Sequence, residues 1–457
     1  MVSPIENHFA FATSYQYYAW TLLMLAKYPL SWHLVSLIFL SPPVDYECKG
    51  KGKNHCPCEE VEWDLSYFTN TVPVKYSLYC DRQWLVTFSE SIYYGGFLLG
   101  SFAGGFFSDR FGRILSVRLS STLVCVVGFL VIFMPSIELY VAMRFLNGIG
   151  VGSAIITGYV ICIEYCGTRH REIVSVLYHL PITLGHVTTA AISYALRNFE
   201  HYQLAISLPA LVPVLLSFII YESPKWLFDY NEIEKASVFA LKGIKTEKKV
   251  YFWNVFQHLQ LTLNFLFMSS NFFICGMGYY GVSQFIGKMS GNVHHNVIIS
   301  GLLLNPGTIL SLYLCRKLSR RVFLMSANIL SGTTMLIVIC IPANHVWVRV
   351  IIASICCTAF FMSFIVVFLY AVELFPTGIR NSVLGLLSAV SRIGQILGPF
   401  VNELPEMTAG IIYVVLVLIA GALCFFLPET KDTELPSTIE QTKHLTRQGF
   451  KNSASGS

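Results

Sequence analysis

Long apolar runs separated by short polar turns make up almost the whole chain. A helix needs roughly 20 residues to cross the ~30 Å hydrocarbon core of a bilayer. The runs that reach this length number twelve, and they cover 18–40, 87–108, 115–134, 138–165, 173–195, 203–221, 258–286, 293–315, 322–342, 347–371, 382–402 and 408–427. The pattern therefore predicts an all-α membrane protein with twelve transmembrane helices.

The polar segment between the sixth and seventh runs divides the chain into two halves. It carries six lysines, a composition typical of a segment in water. The basic turn 315–321 after run 8 matches the turn after run 2 in position, which indicates repeated halves. We expect a six-helix bundle over 1–221, a linker at 222–257 with a short helix near 231–243, a second six-helix bundle over 258–427, and a tail at 428–457.

Composition predicts that the chain lies in a membrane, and the distribution of charge predicts its orientation there. Hydrophobic residues make up 54% and charged residues 12% of the chain, which is too apolar for a soluble domain and predicts a protein embedded in the lipid bilayer. Lysines and arginines follow the even-numbered runs, and basic residues in short loops are retained in the cytoplasm. We therefore expect both termini in the cytoplasm. The net charge of +5 reflects this sidedness, and nucleic-acid binding is not expected.

The segment 41–86 between the first two runs is the sizeable polar region on the opposite side of the membrane. Its cysteines face an oxidising exterior and predict two disulfides, with three pairings open. A zinc site that includes His55 is the alternative, but extracellular exposure favours the disulfides, and no metal is expected. The cysteines concerned are Cys48, Cys56, Cys58 and Cys80.

Ionisable residues inside the runs are the first candidates for function. Each costs about 2.5–3.5 kcal/mol or more near the bilayer centre, so such residues are rare unless they act. Lys27, Arg144, Glu164 and Arg392 qualify. Glu90 lies close enough to the outer end of run 2 that we expect it to be solvated.

Arg392 is the sharpest of these candidates. It belongs to a polar stripe at helical spacing that includes Ser388 and Gln395 on an otherwise apolar run, and such a stripe is expected to face a water-filled cavity. The alternative is a structural arginine paired to a carbonyl. Tyr279 and Tyr280 in run 7 supply aromatic faces and hydroxyl groups that suit flat organic solutes. These five residues are our candidate substrate site.

The turn after run 2 supplies the candidates for gating. Asp109, Arg110 and Arg113 lie there, and Glu164 with Arg169 and Arg171 ends run 4, so an ion-pair network is expected to close the cytoplasmic side in one conformation. The alternative is a set of solvated surface charges worth little. If Asp109 faces the start of run 11, the positive dipole end of that helix would favour its charge. The bordering turns add Glu222 and Arg380 to the candidate gating residues.

Arg144 opens a glycine-rich stretch of run 4. Gly148, Gly150 and Gly152 follow it and allow a neighbouring backbone to approach closely. The arginine, one turn away, is either part of this helix packing or a residue that couples transport to another ion. Both interpretations stay open.

Several of these segments resemble one known family. The chain is similar to the major facilitator superfamily and, within it, to the family of organic cation, organic anion and carnitine transporters. The resemblance covers almost the whole chain. It is carried by GFFSDRFGR at 105–113, WDL at 63–65, ESPKWL at 222–227, ELFPTGIRN at 373–381 and LPETK at 427–431.

The resemblance relates the residue at position 392 to the charge of the substrate. In that family, cation carriers tend to have an acid at this position, and anion or zwitterion carriers a basic residue. The chain departs from the family at Leu304, where an acid is usual, and also at Ser319 and Glu200, where glycine and a basic residue are usual. The loss of an acid further weakens the case for cation binding.

We therefore expect a plasma-membrane transporter of small organic ions that prefers anions or zwitterions and works by alternating access. A sugar-porter-like carrier and a receptor-like protein that no longer transports are the alternatives. No nucleophile and base pair stands in the runs, so an enzyme is not expected, and neither is a cofactor.

Overall fold

The computed structural model describes residues 14–42, 44–48, 52–53, 56, 58, 61–166, 170–229, 256–289, 291–375 and 377–431. The linker helix expected near 231–243 lies outside this part of the chain, as does the tail beyond residue 431.

Helices occupy nearly all of the described residues. We number the long ones α1 to α12, and α5 and α6 each consist of two segments. Their bounds are α1 Ser14–Val35, α2 Trp84–Phe111, α3 Arg113–Leu130, α4 Ile137–Glu164, α5 Arg171–Leu177 and Leu180–Ala195, α6 Phe199–Ser207 and Leu211–Leu216, α7 Leu259–Lys288, α8 Val293–Lys317, α9 Arg320–Cys340, α10 Val346–Leu374, α11 Thr377–Val401 and α12 Glu406–Cys424.

Ten of these helices, α3 to α12, are long and apolar enough to cross a membrane, counted over the described residues. The other two, α1 and α2, have 22 and 28 residues, and they carry the buried ionisable residues Lys27 and Glu90. At 1.5 Å per residue, both still exceed the ~30 Å thickness of the hydrocarbon core.

The turn between α2 and α3 depends on one glycine. Gly112 has φ +110°, a backbone conformation that side chains with a Cβ rarely adopt. It lets α3 begin directly after α2 ends, so that Asp109 and Arg113 stay on adjoining helix turns.

The same helix pairs contact each other in the two halves of the chain. The pair α1 and α5 corresponds to α7 and α11, and the pair α2 and α4 corresponds to α8 and α10. A Cβ on Gly148 of α4 would lie 2.2 Å from the carbonyl oxygen of Tyr93 on α2, so only glycine allows this approach. The two halves meet along α2 with α11 and along α5 with α8.

The segment between α1 and α2 contains a small antiparallel sheet. Strands β1 Tyr46–Cys48, β2 Gly52–Lys53 and β3 Val61–Trp63 lie in the order β2-β1-β3. Two disulfides, Cys48–Cys58 and Cys56–Cys80, hold the segment together. The expected pair of disulfides is confirmed, and one of the three open pairings is selected. We call this end of the molecule the loop face, and the end with turns 109–113 and 316–321 the basic-turn face.

Candidate functional site

A cavity lies between the two halves of the molecule, near the middle of the helices. It is lined from α1, α2, α4 and α5 on one side and from α7, α10 and α11 on the other. Its aromatic lining residues are Phe97, Tyr159, Tyr178, Tyr280, Phe364 and Phe368.

Arg392 of α11 lines this cavity and is 4% exposed. Its Nη1 donates a hydrogen bond to Oε1 of Gln395 at 2.9 Å, which orients the guanidinium. The guanidinium carbon lies 4.1 Å from the ring centroid of Phe97, a cation–π contact with the opposite half. Neither contact neutralises the charge, because an amide and an aromatic ring carry no net charge.

Lys27 of α1 lines the same cavity from the other half and is 3% exposed. Its Nζ donates to the backbone oxygen of Tyr178 at 2.7 Å and lies 3.7 Å from the centroid of the Tyr178 ring. Among the described residues that line the cavity, none is an aspartate or a glutamate. The cavity therefore presents two basic side chains without an acidic partner among its described lining residues.

His179 also lines the wall. Its Nδ1 lies 2.8 Å from the backbone oxygen of Ser175, so this nitrogen carries the hydrogen and donates it. The neutral ring then keeps Nε2 as an acceptor. His179 thus supplies hydrogen-bonding capacity but no fixed charge.

Three of the five residues predicted for the substrate site line a cavity. Arg392 and Tyr280 line the central one, while Tyr279 and Tyr280 line a second, smaller cavity nearer the loop face. Gln395 is fully buried and acts on the cavity through Arg392. Ser388 is buried, and neither of the two cavities is lined by it. The roles of these residues remain predictions.

Most of the aromatic wall and the position of Lys27 in the cavity were not predicted from the sequence. Phe364 and Phe368 stand four residues apart on α10 and so share one helix face. That spacing was visible in the sequence. What it could not reveal is that this face meets α4 and α5 of the other half, where Tyr159 and Tyr178 lie.

Arg113 is the centre of the ion pairs at the basic-turn face. It pairs with Asp109, four residues earlier, and its Nη2 lies 3.2 Å from Oε1 of Glu164 at the end of α4. Its Nη1 also donates to the hydroxyl of Ser108 at 2.9 Å. Arg113 and Glu164 are both nearly buried, so solvent screens this pair little.

Glu222 lies at the start of α3 and accepts hydrogen bonds from its free backbone N–H groups. The donors are Arg113 at 2.9 Å and Ile114 at 3.1 Å, with Ser223 at 2.9 Å from the adjoining turn. A carboxylate at a helix N-terminus satisfies unpaired N–H groups and interacts favourably with the helix dipole. Burial raises the pKa of Glu222, and these N–H groups partly offset the rise.

The second half repeats this arrangement around Arg320. Its Nη2 donates to Oε1 of Glu373 at 2.9 Å, and its backbone N–H donates to Oε1 of Glu429 at 2.8 Å. The distance in sequence from arginine to capping glutamate is 109 residues in both halves. Arg320 also pairs with Glu172 of α5, so this ion pair joins the two halves at the basic-turn face.

The other residues predicted for gating contribute less to the ion-pair networks around Arg113 and Arg320. Arg110 is exposed and packs near the ring of Phe111, 5.6 Å from its centroid. Asp109 pairs with Arg113 and is 65% exposed. Arg169 lies outside the described residues, and so do the side chains of Arg171 and Arg380. A contact of Asp109 with the start of α11 therefore stays a hypothesis.

A separate contact joins the two halves at the loop face. Glu403 after α11 pairs with Lys288 at the end of α7, with 2.5 Å between Oε1 and Nζ. The same Oε1 accepts a hydrogen bond from the hydroxyl of Thr87 on α2 at 3.0 Å. Burial alone would raise the pKa of Glu403, but Lys288 and Thr87 outweigh it and hold the pKa below its usual value.

Glu90 lies one helix turn below Thr87 and is 5% exposed. Our expectation that it is solvated was wrong, because α2 begins at Trp84 and places Glu90 almost two turns inside the helix. Lys288, Glu403 and Arg144 are charged residues that interact electrostatically with its carboxyl group.

Arg144 is fully buried in the N-terminal half. Its guanidinium lies 4.5 Å from the ring centroid of Tyr93, and its three side-chain nitrogens have no hydrogen-bond partner among the described residues. The close approach of α2 and α4 at Gly148 holds the two helices around it. A buried cation with so little compensation is costly, which is typical of residues that act during a transport cycle.

Comparison with known families places these features in context. A family model described as "Sugar (and other) transporter" matches residues 59–440. "Solute carrier family 22 member 3" of Rattus norvegicus is 30% identical over 415 residues, which are 85% of this chain and 74% of that protein. "Organic cation transporter protein" of Drosophila melanogaster is 28% identical over 420 residues, covering 85% and 77% of the two chains.

Solved structures with the same fold include the xylose transporter XylE from E. coli in a partially occluded inward-open conformation. The TM-score is 0.70 over 93% of this chain and 100% of the XylE chain, with 17% sequence identity. At this identity the likeness shows the fold alone. The predicted all-α architecture of twelve membrane helices is confirmed.

Proposed function

Because the chain belongs to the major facilitator superfamily and, within it, to the family of organic cation, anion and carnitine transporters, we propose that it carries small organic anions or zwitterions. The charge of the central cavity is the observation that supports this preference. Lys27 and Arg392 both line it, and none of its described lining residues is acidic. The fixed charge of Arg392 in a site of low dielectric attracts a carboxylate or a sulfate and repels an organic cation, and Lys27 adds hydrogen-bond donors for an anion.

Transport by alternating access is supported by contacts on both sides of this cavity. Residues 1–221 and 258–427 would move as two bundles around the fixed central site. Glu172 with Arg320 would close the basic-turn face, while Thr87 with Glu403 and Lys288 would close the loop face. The arrangement described above is then an occluded state, since both sets of contacts are present together.

The sidedness follows from charge and from the disulfides. Basic residues mark the basic-turn face as cytoplasmic, with both termini on that side. The loop face would then face an oxidising exterior, where Cys48–Cys58 and Cys56–Cys80 are stable. This placement fits the plasma membrane.

Arg144 is proposed to couple transport to a second ion. Its nitrogens have no hydrogen-bond partner among the described residues, while Glu90 on the neighbouring helix interacts with it electrostatically. A change in the protonation or position of Glu90 would alter the cost of burying Arg144. This relationship gives the two residues a physical means of linking an ion to the movement of the bundles.

The direct test of the substrate site is uptake by Arg392→Ala. We expect saturable uptake of organic anions to fall about tenfold or more, because a charged hydrogen-bond partner is worth about 1.5–3 kcal/mol. Arg118→Ala is the matched control, since Arg118 contacts Ser217 and Phe218 away from both cavities. Equal uptake by Arg392→Ala and the control, at equal surface expression, would remove Arg392 from the site.

A further inference from the structure

The two cations of the central cavity come from opposite halves of the molecule. Lys27 lies on α1 and Arg392 on α11, and each has donor capacity left after its contacts with the protein. The lysine ammonium has three hydrogens and donates one to Tyr178. Nε of Arg392 has no partner among the described residues. Two separate points of attachment are therefore available to one ligand.

The space around these points is lined largely by aromatic rings, together with the aliphatic side chains of Leu34, Ile155, Ile156 and Ile182. The ring centroids of Phe364 and Phe368 lie 5.1 Å apart on α10, and Tyr159 faces Phe368 at 6.1 Å from the other half. Tyr280 closes the side toward the loop face, where it borders both cavities. Such walls favour a conjugated ring over a branched aliphatic chain, because ring faces and edges pack in offset or edge-to-face geometry.

Charge balance distinguishes between ligands of one and two negative charges. Burial disfavours the ammonium form of Lys27, and a monoanion that pairs with Arg392 leaves it without an acidic partner. An acidic group beside Lys27 stabilises the ammonium form, because a buried charge is tolerated when it has a partner. A second acidic group on the ligand supplies that partner, and the described lining residues do not.

We propose that the preferred substrate is a flat dianion, an aromatic or conjugated molecule with one acidic group bound by Lys27 and the other by Arg392. The proposal rests on the proposed function, since it concerns the same cavity. It assigns Lys27 the role of a specificity-determining residue that distinguishes dianions from monoanions.

The test compares benzenedicarboxylates with their monoamides, using the full chain in sealed proteoliposomes. A monoamide keeps the size and shape of the diacid but carries one negative charge instead of two. The unaltered protein should transport at least one of the three positional isomers with a kcat/KM about tenfold or more above that of its monoamide. Lack of any such preference in the unaltered protein would overturn the proposal without reference to a variant.

The variants locate the preference on one residue. Lys27→Met should abolish the preference by lowering kcat/KM for the diacid, with a much smaller effect on the monoamide. Lys27→Arg should restore part of it, and Arg392→Gln should impair both compounds. Lys75→Gln is the matched control, because Lys75 bonds Ile132 and Glu200 at the loop face. An equal loss for both compounds in Lys27→Met would make Lys27 a structural residue and contradict the proposal.

The same data separate this inference from the proposed function. If monoamides and other monoanions are transported and depend on Arg392, but the second charge brings no advantage, only the dianion proposal fails. If no organic anion enters the vesicles above the level of protein-free controls, the proposed function itself fails.

Discussion

At the scale of single residues, burial cost identified Arg392 and Lys27 as unusual, and the structure places both in one cavity wall. The free energy of placing a charge in lipid depends on its depth in the bilayer. The position of the residue within its apolar run gives that depth approximately. Which neighbour a side chain faces is a tertiary property. This difference explains the error at Glu90, whose depth was misjudged because the helix begins three residues before the predicted run.

Arg144 provides a prediction at this scale. Arg144→Gln should abolish accumulation driven by an inward ion gradient but retain exchange of labelled for unlabelled substrate at equilibrium. The reason is that exchange needs only the movement of the loaded carrier, whereas accumulation needs the coupled ion. Uptake under a proton or sodium gradient and counterflow in the same vesicles measure the two.

A packing role for Arg144 gives a different result. Both activities would fall together, along with the melting temperature of the purified protein. Gly148→Ala is the control for this outcome, since its Cβ would lie 2.2 Å from the Tyr93 carbonyl oxygen and disturb packing without changing charge.

At the scale of elements, apolar periodicity predicted the existence and order of the helices. It missed the breaks in α5 and α6. Both breaks lie beside a proline, Pro181 after His179 and Pro209 in the short 3₁₀ turn Leu208–Ala210. Proline supplies no backbone N–H and interrupts the helical hydrogen-bond pattern. A run of apolar residues continues through such a break, so hydropathy alone does not reveal it.

The ion pair between Glu172 and Arg320 leads to a prediction for the gate. Glu172→Gln removes the contact between the halves and leaves Arg320 bonded to Glu373, so the basic-turn face should open more often. The buried free thiol of Cys315, beside Arg320, should then react faster with a membrane-impermeant maleimide applied from that face.

The variant Cys315→Ser identifies which labelling belongs to this thiol. Glu403→Gln is the opposite control, since it weakens the loop face and should slow the reaction of Cys315 by shifting the protein away from the state open at the basic-turn face. A labelling rate unchanged by Glu172→Gln would show that this pair does not hold the gate.

At the scale of the whole molecule, the repeat of two halves was weak in sequence but is clear in side-chain contacts. Arg113 with Glu164 and Glu222 corresponds to Arg320 with Glu373 and Glu429. Glu429 could have been found by applying the 109-residue spacing of Arg113 and Glu222 to Arg320, whereas the spacing to the other glutamate is 51 residues in the first half and 53 in the second. The disulfide pairing could not, because spacing alone does not distinguish three pairings of four cysteines.

The central claim is that the cavity selects organic anions or zwitterions and moves them across the membrane. The most direct measurement is counterflow into sealed proteoliposomes with matched labelled solutes: an aromatic carboxylate, a carnitine-like zwitterion, a quaternary amine and a hexose. We predict saturable accumulation of the carboxylate or the zwitterion, with little competition from the amine or the hexose. Preferential accumulation of the amine or the hexose, or binding without accumulation, would contradict the account.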